Sequence, residues 1–417
     1  MTRRRLIVVC PHFAPDIAPT GRVMTSIVAE WAAFGHEIHV VTSLPWYREH
    51  RVEEGWTGRL VRRETTSWGS ITRIAPFAAE SKSNLFARAF GFVAFSVLAG
   101  WCATRVGSRS SRDGRIDAVV AMSPPLTLGT VGWFVARLRR TRLIFNVQDV
   151  FPDAVVKTGA MRNRAVIAIA AWLERFTYRK SDAVVVLSDD LRRNVCAKVP
   201  QRLAGRVHVI ENFVDTAGIV PRDRMTPYRA ELGIGDEVVV MYAGNVGYSQ
   251  SLGMLLEFAR RSPRVTVLIN GAGVALESLR LASRDIPNVR FGAYQPEDRL
   301  AEVLATGDVH VVSLRAGLAA VSVPSKIYSI LAAGRPVVAA VDPHSEIERL
   351  VVRAGAGTSV APDDADALCN ALGRLVDDPA RRSALGLQGR AYVERHPTAR
   401  DVAESYVRLL PDSLTNS

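Results

Sequence analysis

An α/β fold of two doubly wound parallel sheets is predicted by three observations. Short β-branched runs alternate with amphipathic helical stretches along almost the whole chain. A central segment, 213–237, loses that periodicity, holds two prolines and reads as a linker. The length, 417 residues, exceeds one ordinary domain and fits two. The boundaries predicted are 1–212 and 213–395, with a last helix, 396–417, packing back on the first domain.

The first strand is LIVVC (6–10), followed by a Pro-rich loop and a helix that sets Val23, Ile27, Val28, Trp31 and Phe34 on one face before Gly35 stops it. IHVVTS (38–43) completes a βαβ unit. Strands recur at 117–123, 143–149, 182–188 and 207–212, with helices near 125–140, 163–180 and 189–198. A second series starts after the linker, with strands at 238–245, 265–271, 289–294, 309–314 and 337–341. The last helix, near 398–410, carries Val402, Tyr406 and Leu409 on one face.

Charge and composition narrow the function classes. The net charge of +12 lies in the first half: residues 1–215 hold 31 Lys+Arg against 18 Asp+Glu. That balance suits a polyanion, an anionic membrane or an acidic substrate, and equally an Arg-rich solvated face. Four scattered cysteines form no CxxC pair, so neither a disulfide framework nor a zinc site is expected, and a reducing compartment is. The apolar run after MTRRR is too short for a signal-peptide core. AFGFVAFSVLAGWCAT (89–104) carries no charge and is flanked by Arg88 and Arg105. It falls short of the roughly 20 apolar residues a spanning helix needs, and fits either a core helix or one lying in a membrane interface.

In doubly wound sheets ligands bind at the carboxyl ends of the strands, and two such domains imply a cleft. No GxGxxG, Walker loop, GxSxG or HExxH occurs, which excludes the commonest dinucleotide, NTPase, hydrolase and zinc-peptidase sites. The acidic doublets Asp189-Asp190, Asp363-Asp364 and Asp377-Asp378 sit at helix ends and read as caps or dipole partners.

In YAGNVGYSQSL, Gly244 and Gly247 let backbone N–H groups approach an anion, and Asn245 and Gln250 add donors. The next strand ends carry Gly271, Gly273 and Gly292, where backbone groups can read a base. In VSVPSKIYSILAAGRPV, Ser322 or Ser325 is expected to cap a helix. Lys326, the only lysine after Lys198, lies in that helix's first turn, where a cation is unfavourable unless an anion is present. Arg315 brings a second charge nearby, and a diphosphate would satisfy both. The first domain's strand ends supply His12, Asp16, Gly21 and Arg22, then Gln148, Asp149 and Asp153; Asp149 suits a general base or an acceptor-hydroxyl partner. No metal site is read from these residues.

With these residues in place, the chain resembles glycosyltransferase family 4, of the GT-B fold, over most of its length. The resemblance is carried by the Pro-Asp loop after the first strand, by SPP, QDVFPD and AGNVG, and most specifically by VPSKIYSILAAGRPV. It is closest to the bacterial cell-envelope subgroup acting on lipid-linked acceptors. It implies a retaining transfer from a UDP-, GDP- or dTDP-sugar to an acceptor hydroxyl, with the nucleotide sugar a substrate and no cofactor. Gly244, Asn245, Arg315 and Lys326 then surround the donor diphosphate, Ser325 and the other glycines line the donor site, and Asp149, Gly21 and Arg22 face sugar and acceptor. His12, Asp16, Gln148 and Asp153 stand on the acceptor side. Two departures from the wider family stand out: Val321 and Ser329 occupy the places of two glutamates, and Asn245 and Gln250 those of Arg and Lys. A cytoplasmic enzyme, peripheral at the inner face of an anionic membrane, is expected, with no nucleic-acid partner. A GT-B 2-epimerase and a non-enzymatic basic membrane-surface protein are the alternatives.

Overall fold

The computed structural model describes residues 2–47, 51–77, 85–107, 115–159 and 161–410. The chain divides into two compact units, Met1–Asn212 with Ala399–Ser417, and Phe213–Thr398.

The strands of the first unit are β1 (Arg5–Val9), β2 (Glu37–Ser43), β3 (Val61–Thr66), β4 (Gly69–Ile74), β5 (Ala118–Ser123), β6 (Arg142–Val147), β7 (Ala183–Val186) and β8 (Val207–Val209). Its helices are α1 (Pro19–Ala33), α2 (Leu85–Ala103), α3 (Thr127–Arg139), α4 (Asp153–Lys157), α5 (Arg164–Lys180) and α6 (Asp189–Ala197). The sheet order is β3-β4-β2-β1-β5-β6-β7-β8, parallel except for the β3–β4 hairpin. That hairpin escapes the sequence pattern because VRRETT is mostly polar, with no fully buried position, and lies at the sheet's edge, where solvated side chains are tolerated. β1 and β5 are adjacent but reached by opposite crossovers, so the topological switch point lies between them.

The second unit contains α7 (Pro227–Glu231), β9 (Val239–Ala243), α8 (Gly253–Arg261), β10 (Thr266–Asn270), α9 (Leu276–Ala282), β11 (Val289–Gly292), α10 (Leu300–Thr306) and β12 (Val309–Ser313). It continues with α11 (Lys326–Ala332), β13 (Val337–Ala340), α12 (Glu346–Ala354), β14 (Gly357–Val360), α13 (Ala365–Val376) and α14 (Pro379–Val393). Its all-parallel order β11-β10-β9-β12-β13-β14 is the doubly wound pattern, with the switch between β9 and β12. Tyr242, Val267, Ile269, Val311 and Val338 are buried in one apolar core with Leu255 and Phe258 of α8 and Leu372 of α13, which fixes the strands whose ends carry the loops. The segment 213–237 is not a bare linker: Tyr228 of α7 packs with Ile234, Met241 and Leu268 as a second small core.

The final helix, α15 (Ala399–Arg408), joins the first unit's core: Val402, Ala403 and Tyr406 are buried, and the Trp31 indole donates to the Ala403 carbonyl at 3.0 Å. The Tyr406 hydroxyl accepts from the buried Asn146 amide. Tyr406→Phe leaves that amide without its acceptor and is expected to cost the first unit about 1–3 kcal/mol, read from urea unfolding.

Candidate functional site

At the switch point of the second sheet, the loops after β9 and β12 are bound to each other. Arg315 N donates to Ser249 O at 2.9 Å, and Ser251 N donates to the Ser313 hydroxyl at 3.2 Å. Asp363 fastens both loops, accepting from the Ser251 hydroxyl and from Ala316 N, while Asp342 accepts from Gly317 N at 2.9 Å and Ala319 N at 3.2 Å. Neither aspartate stood out in the sequence as more than a helix-end residue or loop acid. Only Asp364 of the doublet caps its helix, accepting from Ala367 N at 2.9 Å.

The glycines make this corner possible. Gly244 has φ +133°, and a Cβ there would lie 3.0 Å from Lys326 Nζ. Gly271, at φ +147°, is pressed so close to Gly244 that a Cβ would fall 1.9 Å from its carbonyl oxygen. Gly273 lies as tightly on Val246 O. At Gly292 a Cβ would strike the Asn270 carboxamide and the Tyr228 hydroxyl, which are hydrogen-bonded to each other at 2.5 Å. Gly244, Gly271, Gly273 and Gly292 therefore bring the carboxyl ends of β9, β10 and β11 together as a floor of backbone. Asn245 is exposed above it. Gln250 turns inward instead, its Oε1 accepting from Gly247 N at 3.0 Å, and serves to close the turn.

Lys326 reaches into this corner. Its Nζ lies 3.7 Å from the centre of the Tyr242 ring, and the Tyr242 hydroxyl donates to Asn245 O at 2.6 Å. The residue as a whole is half-buried, yet Nζ itself is enclosed and makes no hydrogen bond among the described residues. Burial without a counter-charge pushes its pKa down to about 7. A cation in this position, held over a ring face with no counter-charge, is chemically an incomplete anion site. Tyr242 is the residue that sequence reasoning missed; its only signal is an aromatic residue two places before a loop glycine on a buried strand.

Two expectations about this corner change. Ser325 occupies the N-cap position of α11 but in helical conformation, with no side-chain cap, because the chain enters from the 322–325 loop already turned. Ser322 lies further out in that loop and does not cap either. With α11 only two turns long, the positive character of the corner comes from the lysine rather than the helix end. Arg315 is exposed, and its guanidinium reaches Tyr248 O at 3.4 Å.

In the first unit, the loop after β1 holds a His–Asp pair. His12 Nδ1 is 2.7 Å from Asp16 Oδ2, and Asp16 Oδ1 accepts from Tyr47 N at 3.3 Å. The carboxylate accepts from Nδ1–H and so fixes the orientation of the ring. The ring stacks on Trp46 with centroids 5.5 Å apart and meets Tyr47 edge-on. Gly21, in the first turn of α1, touches His12, since a Cβ there would lie 2.8 Å from the His12 Cβ. Arg22 follows on the same turn, half-buried. Asp149 is half-buried just past β6. Gln148 points into the core, its amide donating to Asn146 at 2.7 Å, and so belongs to the network that holds α15. Asp153 is engaged by Lys198 at 2.8 Å and by the Asn194 amide at 3.1 Å.

Comparison with known proteins agrees with this architecture. The family described as a glycosyl transferase 4-like domain matches residues 20–212, and the one described as glycosyl transferases group 1 matches 237–378. A protein of Escherichia coli (strain K12) named for colanic acid biosynthesis glycosyl transferase, WcaI, is 24% identical over 417 residues, covering 97% of this chain and 98% of its own. A GDP-mannose-dependent phosphatidylinositol monomannoside mannosyltransferase of Mycolicibacterium smegmatis is 31% identical over 188 residues, covering 42% of this chain and 49% of its own. Among solved structures, the sucrose-phosphate synthase of Thermosynechococcus elongatus superposes with a TM-score of 0.77 at 19% identity, covering 98% of both chains. With both halves matched in order and the two doubly wound sheets superposed on a known member of the fold, the chain belongs to glycosyltransferase family 4 and is a glycosyltransferase of the GT-B fold.

Proposed function

We propose that the second unit binds a nucleotide-diphosphate sugar at the Gly244–Lys326 corner and that the enzyme transfers the sugar, with retention at the anomeric carbon, to a hydroxyl of a lipid-linked cell-envelope acceptor. The observation that carries this reading is the enclosed, unpaired Lys326 Nζ at the switch point of the second sheet. In the reaction the acceptor oxygen bonds to the anomeric carbon as the bond from that carbon to the diphosphate breaks. The acceptor proton passes to a leaving phosphate oxygen. The chemical demand is therefore charge on the departing diphosphate, an electrostatic task for preorganised cations. Lys326 and Arg315 take that task in a metal-independent reaction, with the exposed Asn245 carboxamide as a further donor; the N–H groups of Gly244, Val246 and Gly247 are already spent on Asn270 O, Ala272 O and Gln250 Oε1. On the first unit, Asp149 orients the acceptor hydroxyl, and Gly21, Arg22 and the His12–Asp16 pair face the acceptor. The lipid-linked acceptor is supported by the basic first half and by the phosphatidylinositol-based acceptor in the mycobacterial relative's name.

Thermal-shift titration with UDP, GDP and dTDP tests the donor half. One of the three is expected to raise the transition of the second unit; if none does, the reading fails. Binding is also expected to take up protons. An anion beside Lys326 restores the charged form, so at pH 8, above the depressed pKa of about 7, binding draws in close to one proton. At pH 6 the lysine is already charged and contributes none. Calorimetry in buffers of different ionisation enthalpy reads the difference.

A further inference from the structure

α2, α3 and α5 pack side by side on one face of the first sheet. Gly100 of α2 lies against Val131 of α3, and Gly129 of α3 against Thr177 of α5. Trp133 of α3 meets Phe176 of α5 with centroids 5.0 Å apart, and Phe176 stacks on Trp172. α2 buries one face only: Phe95, Ala99 and Cys102 are inside, while Phe90, Val97 and Trp101 stand outside, Phe90 at 73% exposure. Phe134 and Leu138 extend the apolar surface onto α3, and Trp172, 60% exposed, extends it onto α5. Scattered exposed apolar residues are ordinary. Exposed apolar residues that continue over three adjacent helices form the contiguous kind of surface that marks an interaction site.

Its charge decides what covers it. The three helices contain a single acidic residue, Glu174, which is buried and held by Lys198 at 2.7 Å and the Tyr178 hydroxyl at 3.0 Å. Every exposed charge on them among the described residues is positive: Arg137, Arg164, Arg175, Arg179 and Lys180. Arg105, just beyond α2, stacks on the Trp101 ring. An apolar centre carrying indoles, on helices whose exposed charges among the described residues are all positive, is complementary to an anionic bilayer surface. A protein partner would have to leave these cations unpaired or supply acids for all of them.

We propose that the outer face of α2, α3 and α5 is a docking surface for anionic lipid, with the three helices lying along the headgroup region. No helix among the described residues is long and apolar enough to cross a membrane, so the contact is peripheral. Gly91 packs on the carbonyl of Phe77, three residues past β4, which places the start of α2 at the carboxyl edge of the sheet, the edge that also carries His12. The surface thus leads to the acceptor-side loop. The inference deepens the acceptor half of the proposed function and rests on it for purpose, but the docking needs no sugar donor.

Co-sedimentation of the full chain with phosphatidylcholine vesicles, with and without about 30 mol % phosphatidylglycerol, tests it. The protein is expected to pellet with the anionic vesicles at low salt and to be released in part by high salt. Val97→Glu with Trp172→Glu is expected to lower partitioning by at least about tenfold, and Arg137→Glu with Arg175→Glu to remove the preference for anionic lipid. All four positions are exposed, and although Trp172→Glu gives up the stacking on Phe176, the nucleotide-induced shift should stay unchanged in both variants. The proposal is overturned if the wild type does not pellet at low salt, or if the paired glutamates leave pelleting unchanged. It is equally overturned if the chain is a dimer that those glutamates dissociate, since the face is then a self-interface. Loss of pelleting with an intact nucleotide shift leaves the donor reading standing; an absent shift with normal pelleting sinks the donor reading alone.

Discussion

Lys326→Ala is expected to lower kcat by about 10²–10³-fold and to weaken nucleoside diphosphate binding, without unfolding the protein. The first part follows from geometry: Nζ is enclosed over the Tyr242 ring, against Gly244, and among the described residues no hydrogen bond competes for it. The second part follows from the sign of the linkage. The folded-state pKa, about 7, is below the usual lysine value of 10.5, so between those pH values the unfolded chain binds more protons than the folded one. The lysine's contribution to stability therefore rises with pH from about 7 to 10.5, and at or below pH 7 its burial penalty is present in full. Lys326→Met removes the buried charge and keeps the volume. It is expected to raise the melting temperature of the ligand-free protein at pH 7, with the gain vanishing towards pH 10.5, while donor turnover is lost. Lys326→Arg should not preserve turnover, because a planar guanidinium does not reproduce the compact ammonium enclosed over the Tyr242 ring. Steady-state kinetics beside thermal melts at pH 7 and 9.5 separates these outcomes. A variant that binds nucleotide as wild type does would remove Lys326 from the diphosphate.

The residues differ in how openly the sequence displays them. Buried parallel strands such as those holding LIVV (6–9) and VVAA (337–340) announce themselves, because both faces are covered and nearly every position is apolar. Lys326 is visible for the converse reason: a lone lysine at a helix start conflicts with local electrostatics, and such conflicts collect at functional sites. Tyr242 is hidden, since an aromatic residue on a buried strand is indistinguishable from core until its ring is found under an ammonium. Gln148 and Asp153 look like site residues in NVQDVFPD, yet their partners, Asn146 and Lys198, come from two and forty-five positions away. The β3–β4 hairpin is absent from the periodicity because an edge strand need not be apolar on either face. The apolar face of α2 was ambiguous in the sequence because periodicity cannot tell a helix buried all round from one with a bare face. Only the neighbouring α3 and α5, equally free of exposed acids, resolve that.

Asp308→Ala is expected to destabilise the second unit by about 3–5 kcal/mol, the largest stability effect predicted for a single side chain here. Asp308 is buried immediately before β12, and it ties that strand's start to the start of β9 in both directions. Its N–H donates to Val239 O at 2.8 Å, and its Oδ2 accepts from Val239 N at 2.8 Å. The same carboxylate binds Arg224 at 3.1 Å and Arg229 at 3.4 Å. Arg229 is fully buried, and its remaining partners are carbonyls of Gly235, Glu237 and Thr306, none of which carries a full charge. Removing the carboxylate strands a guanidinium in the interior, whereas Asp308→Ala with Arg229→Met removes both charges and should lose less than the sum of the single changes. β9 and β12 are the strands whose opposite ends carry Gly244 and Arg315, so the pair that holds the bottom of the switch point also sets the spacing at the site. A chain of two units need not unfold in one step. Asp308→Ala should lower only the transition that a bound nucleoside diphosphate raises, and Tyr406→Phe only the other. If Asp308→Ala instead moves the nucleotide-insensitive transition, the donor does not bind to the unit that contains Lys326.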